Sequence, residues 1–326
     1  MGEKINVNKI KKYKTYGRAL KLDNGKFEVI VTLDIGPRII HFSLLNGKNI
    51  FADEVKLEEK LPNGKIYRFY GGHRVWHSPE SFPRSYMCDS NPLDSYELFD
   101  NGIIMRQKEE EWTHIEKTVE LHFTENSIKI KSSLTNKGAW TIEMAVWSLI
   151  IGSLNGREIL PVTQRQTGLL HNTHYVSWSY SRMNDPRVYW GQKYIVVDHD
   201  ENNTGSPFKL GYPNEMGWMA YFNKNMCFVK KYLHELGAKY SDMGSSWQTH
   251  SAHWGIDIES LSPLRFVKPG ETISHEEEWF IFSAPKRPNI SEEEITAVLM
   301  PIAEKADFAL PVVSVQKWDP SYNMGK

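Results

Sequence analysis

The chain has 326 residues, 40% of them hydrophobic and 24% charged, with 39 Lys and Arg set against 40 Asp and Glu. That balance excludes a nucleic-acid binder working by bulk charge, because neutralising phosphates needs a basic surplus. Aromatic residues make up 12%, including 11 Trp, and an indole is best used where an apolar ring face meets a polar partner.

From the N-terminus onward, lysines are not followed by an apolar stretch, so no secretory signal is expected. No segment reaches the roughly 20 apolar residues that span a bilayer. Short runs rich in β-branched and aromatic residues then alternate with Gly, Asn, Asp and Pro turns. They predict strands at 27–33, 38–45, 96–107 (broken at Asp100-Asn101-Gly102), 113–122, 127–135, 140–151, 194–198, 218–222, 226–233, 246–251, 254–261, 263–267 and 272–283. Asn46-Gly47, Asn101-Gly102 and Asn223-Lys224-Asn225 are hairpin signals, because these residues tolerate positive φ. Strands joined by hairpins with no helix between them argue against a parallel α/β sheet and point to an all-β, antiparallel architecture.

One helix is predicted, over 291–306. Ser291 caps it, Glu294 closes a capping box, and Ile295, Val298, Leu299 and Ile302 form an apolar stripe, with Pro301 as a local objection. No repeat or composition step marks a boundary, so residues 1–326 read as one domain, with 286–326 a helical and irregular C-terminal addition. Cys88 and Cys227 are too few for a disulfide framework, which favours the cytoplasm.

Three constellations could carry chemistry. Tyr70-Gly71-Gly72-His73-Arg74-Val75-Trp76-His77 sets imidazoles, a guanidinium and an indole on a glycine hinge. His73 and His77 have the spacing of a zinc pair on a helix, but the glycines and Pro79 argue against a helix, and no metal site is expected. Trp178 to Trp190 interleaves rings with Arg182, Asn184, Asp185 and Arg187, the mixture that stacks on the C–H face of a pyranose and bonds its hydroxyls. The bland alternative is a loop whose Arg and Asp pair with each other. Asp242 and Trp247 precede the Gly255–Leu261 run, where Asp257 and Glu259 alternate with isoleucines and so share one strand face. That is either a solvated acidic face or the place of a catalytic base.

Asp34-Ile35-Gly36-Pro37-Arg38, Gly71-Gly72-His73-Arg74, Leu134-Thr135-Asn136, and Glu259 followed by Pro269-Gly270-Glu271 stand in an order that resembles the galactose mutarotase-like superfamily, the aldose 1-epimerases and their relatives. The resemblance covers nearly the whole chain. It implies a large antiparallel β-sandwich and a cofactor-free, metal-independent isomerase acting at the anomeric centre of a small-molecule carbohydrate. In that family a glutamate takes the proton of the anomeric hydroxyl while a histidine protonates the ring oxygen. By position the base falls on Glu259. Trp147 stands nearest the place of the family's second histidine, so the acid would be His73 or His77. Arg38, Arg74, Arg182 and Asp242 would orient the sugar, and Trp76, Trp147, Trp178 and Trp247 would stack on it. The alternative is a carbohydrate-binding protein that lost the second histidine. Neither nucleic acid nor membrane is an expected partner.

Overall fold

A computed structural model describes residues 4–86, 89–167, 170–284 and 286–312. Cys88 and residues 313–326 of the C-terminal addition lie outside the described residues. Antiparallel pairing builds an eleven-stranded sheet, a ten-stranded sheet and a separate two-stranded hairpin. The predicted runs appear as strands, among them Phe27–Thr32, Ile39–Leu44, Ile115–Phe123, Ile128–Asn136, Ile142–Gly152, Trp247–Ala252, Gly255–Leu261 and Thr272–Ser283. The two large sheets pack face to face. Val29, Val31, Phe42, Val75, Ile150 and Ile258 of the first meet Ile103, Val119, Phe228 and Trp279 of the second in a continuous buried core.

Alternation separates the two sheets. Ile115–Phe123, in the second sheet, buries every other side chain, as expected of a strand with one face on the core. In the first sheet, Gly72–Ser78 and Gly255–Leu261 are buried at every position. Their second face is therefore covered too. The Val55–Lys60/Ile66–Tyr70 hairpin lends Tyr67 and Phe69 to a cluster with Trp76, Trp147, Leu149, Ile151 and Leu261 on that outer face.

Among the strands outside the predicted runs, Gly72–Ser78 and Arg157–Pro161 carry no period-2 pattern, while Ala19–Asp23 and Phe208–Tyr212 alternate but are only five residues long. The glycine pair before Gly72–Ser78 has a steric reason. Gly71 and Gly72 have φ of 117° and 64°, and a Cβ on Gly71 would sit 2.2 Å from the Ala52 carbonyl oxygen. The pair lets this strand enter tightly between Ile39–Leu44 and Ile142–Gly152.

The helix runs Glu292–Ala306, with Ser291 accepting from the Glu294 N–H. Ile295, Leu299 and Ile302 cover Trp218, Val229 and Phe280 on the outer face of the second sheet. Pro301 does not end it, and it stops at Asp307, which has φ of 52°. Among the described residues, no helix is long and apolar enough to cross a membrane.

Candidate active site on the outer face of the first sheet

Register places the site. The strands Gly72–Ser78, Ile142–Gly152, Gly255–Leu261, Trp247–Ala252 and Phe208–Tyr212 are consecutive neighbours in the first sheet. Cross-strand pairing lines up Arg74, Leu149, Glu259, Gln248 and Gly211 in one row. The next row on the same face is Gly72, Ile151, Asp257, His250 and Lys209. His250 is thus diagonal to Glu259, a relation that sets Cα atoms about 7–8 Å apart.

These groups form two linked ion pairs under aromatic cover. The Trp147 indole N–H donates to Glu259 Oε2 at 2.9 Å, and Lys209 Nζ reaches the same oxygen at 3.3 Å. Lys209 lies 5.0 Å from the Trp147 ring and 4.8 Å from the Trp178 ring, a cation held between two π faces. Asp257 accepts from Arg74 Nη2 at 3.2 Å, and its other oxygen is 3.2 Å from His250 Nδ1. The Arg74 guanidinium stacks on Trp76 at 4.8 Å, while its Nε and Nη1 are buried without a hydrogen-bond partner. Tyr180 and Trp254 flank the His250 ring.

Burial sets the electrostatics. Glu259 is 1% exposed. Loss of hydration raises its pKa, Lys209 opposes, and the like charge of Asp257 adds to the rise. Burial would raise Asp257 as well, but Arg74 and the His250 hydrogen bond hold it below the usual carboxylate range. Two neighbouring carboxylates are thereby pushed apart, which is how one site obtains a poised base beside a fixed anion. An imidazole backed by a carboxylate on one nitrogen is oriented to exchange a proton through the other.

Several predicted site residues lie elsewhere. His73 and His77 have the opposite strand parity to Arg74 and Trp76, so they point into the interior between the sheets. His73 packs on Trp279 and bonds Ser148 Oγ at 3.1 Å, and burial lowers its pKa to about 3. His77 is likewise buried, with its pKa lowered to about 4. Neither can supply a proton at Glu259. Arg38 is fully buried, paired with Asp89 and bonded to the Phe69 and Gly71 carbonyls, and has no route to a ligand. Trp247 also faces inward, stacked on Tyr232. Arg182 is exposed, and the organised guanidinium of its segment is Arg187, bidentate to Asp185. Asp242 touches the site only through Gln248, whose amide donates to it at 2.7 Å.

Glu259, Arg74, Trp76, Trp147 and Trp178 are brought together. The motifs do not single out His250 or Lys209, which the fold adds to them. For His250 a signal exists: a hairpin turning at His253-Trp254 pairs 250 with 257 and 248 with 259. For Lys209 the signal is weaker: Phe208, Leu210 and Tyr212 alternate with Lys209 and Gly211, but five residues do not say which strand they pair with.

No family model matches the sequence, and no curated protein matches it. Solved structures do match in shape. A TPR-domain containing protein from Parabacteroides distasonis superposes with a TM-score of 0.57 at 14% identity over 94% of this chain, which spans 58% of that protein's length. A Klebsiella pneumoniae protein provisionally described as an aldose 1-epimerase gives 0.55 at 11% identity, covering 91% of this chain and 87% of that one. A galactose mutarotase-like protein from Lactobacillus casei gives 0.50 at 9% identity, covering 81% and 100%. At such identities the likeness is one of fold, and this chain has the galactose mutarotase-like fold as a distant example of it.

Proposed function

We propose that the chain is a carbohydrate isomerase of the aldose 1-epimerase type, with Glu259 as general base and His250 as general acid. One observation carries the reading: on a single sheet face, Glu259 is held by Trp147 and Lys209, diagonal to a histidine backed by Asp257. Glu259 takes the proton of the anomeric hydroxyl as the C1–O5 bond breaks and the C1 carbonyl forms. His250 gives its proton to the ring oxygen. Rotation about C1–C2 presents the other face of the carbonyl, and reclosure returns both protons. The Trp147 N–H and Lys209 fix the carboxylate, Arg74 holds Asp257 behind His250, and the rings of Trp178 and Tyr180 wall the sugar.

A sugar-binding protein without turnover is the second reading, favoured by the Lys209–Glu259 pair, since a paired carboxylate is the weaker base. Anomer interconversion followed by polarimetry over a panel of aldoses separates the two. The isomerase reading expects acceleration over buffer for at least one sugar, lost by about 10²-fold or more in Glu259→Gln and in His250→Gln. Binding of a sugar without acceleration supports the second reading, and full activity in Glu259→Gln removes the base assignment.

A further inference from the structure

A cavity of about 310 Å³ opens where the Gly72–Ser78 strand ends, on the side of the sheet away from Glu259. Its size falls near the lower end of small-ligand pockets, about 300–1,000 Å³, and suits a single ring. Ile115, Ile142 and Met144 give it apolar walls, and Trp112 and Arg84 stand at its exposed rim, Trp112 being 55% exposed.

Its floor holds an unspent polar group. The His77 side chain is buried and lines the cavity, yet its Nε2 has no hydrogen-bond partner, the nearest carboxylate oxygen, Glu110 Oε2, being 3.8 Å away. Glu110 is already engaged by Lys117 at 2.8 Å and by Thr113. A buried imidazole nitrogen left unsatisfied is costly, and a hydroxyl, which both donates and accepts, satisfies either tautomer. An exposed indole beside a planar guanidinium suits a molecule with one apolar C–H face and hydroxyls at its edge.

We propose that this end cavity is a second carbohydrate subsite that takes one neutral pyranose, its C–H face on Trp112, a hydroxyl on His77 Nε2 and further hydroxyls on Arg84. The subsite does not depend on the outer face being catalytic.

Saturation-transfer difference NMR of the full chain with methyl α-D-glucopyranoside, methyl β-D-galactopyranoside and methyl α-D-mannopyranoside tests it. A methyl glycoside has no free anomeric hydroxyl, so turnover at Glu259 does not interfere. In Trp178→Ala, which weakens the outer face, at least one probe should still show saturable binding, and adding Trp112→Ala or His77→Phe should weaken it several-fold. Trp112 is exposed, so its variant should keep the wild-type circular dichroism and melting curve. Absence of saturable binding by all three probes in Trp178→Ala overturns the proposal, as does an affinity in Trp178→Ala that adding Trp112→Ala leaves unchanged.

Discussion

Burial and Asp257 push the Glu259 carboxyl up while Lys209 pulls it down, so its neighbours tune the pH at which it becomes a base. Removing the anion in Asp257→Asn should lower the Glu259 pKa and move the acid limb of the pH–rate profile to lower pH. Removing the cation in Lys209→Met should move it to higher pH. A limb that stays in place in both variants would show that Glu259 does not control it. At this scale the sequence is legible where alternation alone decides. Asp257 and Glu259 share a face because they are two apart. The same rule separates His73 and His77 from Arg74 and Trp76, but the glycines and Pro79 argue for a loop, where parity has no meaning. The close approach of Gly71 to Ala52 explains the glycines within a strand entry instead.

The elements differ in how far local chemistry fixes them. The C-terminal helix is readable from its cap and stripe, and Ser291→Ala should cost about 1 kcal/mol in chemical denaturation by freeing the Glu294 N–H. A loss below measurement error would make the cap incidental. The segment around Trp178 is the opposite case. Only Val176–Ser177 pairs with the first sheet, and the segment is otherwise pinned by Ser181, whose hydroxyl donates to the Lys209 carbonyl at 2.9 Å and accepts from its N–H at 2.7 Å. Two residues of ladder leave no periodic trace in a sequence. Trp178→Ala should weaken binding of the outer-face sugar by about 0.5–1.5 kcal/mol in calorimetry with the secondary structure intact. An unchanged affinity would remove Trp178 from the site.

Across the whole molecule, the interior between the sheets holds several polar and charged groups. Lys230 pairs with Glu277 at 2.8 Å, and Glu158 accepts from Thr249 at 2.7 Å with its other oxygen unpartnered. Burial raises the Glu158 pKa from 4.5 to about 8. The folded state therefore holds a proton that the unfolded chain releases, so this contribution to stability is full below pH 4.5 and is lost as pH rises to about 8. Glu158→Gln keeps an acceptor for Thr249 and should flatten the fall of Tm across that window; an unaltered slope would mean that Glu158 is ionised in the fold. The sandwich itself is legible in the sequence, because hairpin chemistry and β-branched runs are local. The Asp257 and Glu259 face is legible as well, but what joins it from Gly72–Ser78 is not, since that doubly buried strand has no alternation of polar and apolar residues. The central claim is that a sugar ring binds on the outer face between Glu259 and His250. A crystal structure of Glu259→Gln soaked with the sugar that wild type interconverts fastest should show the anomeric carbon beside the substituted amide and the ring oxygen facing His250. A ring bound only elsewhere, with the outer face unchanged, would contradict it.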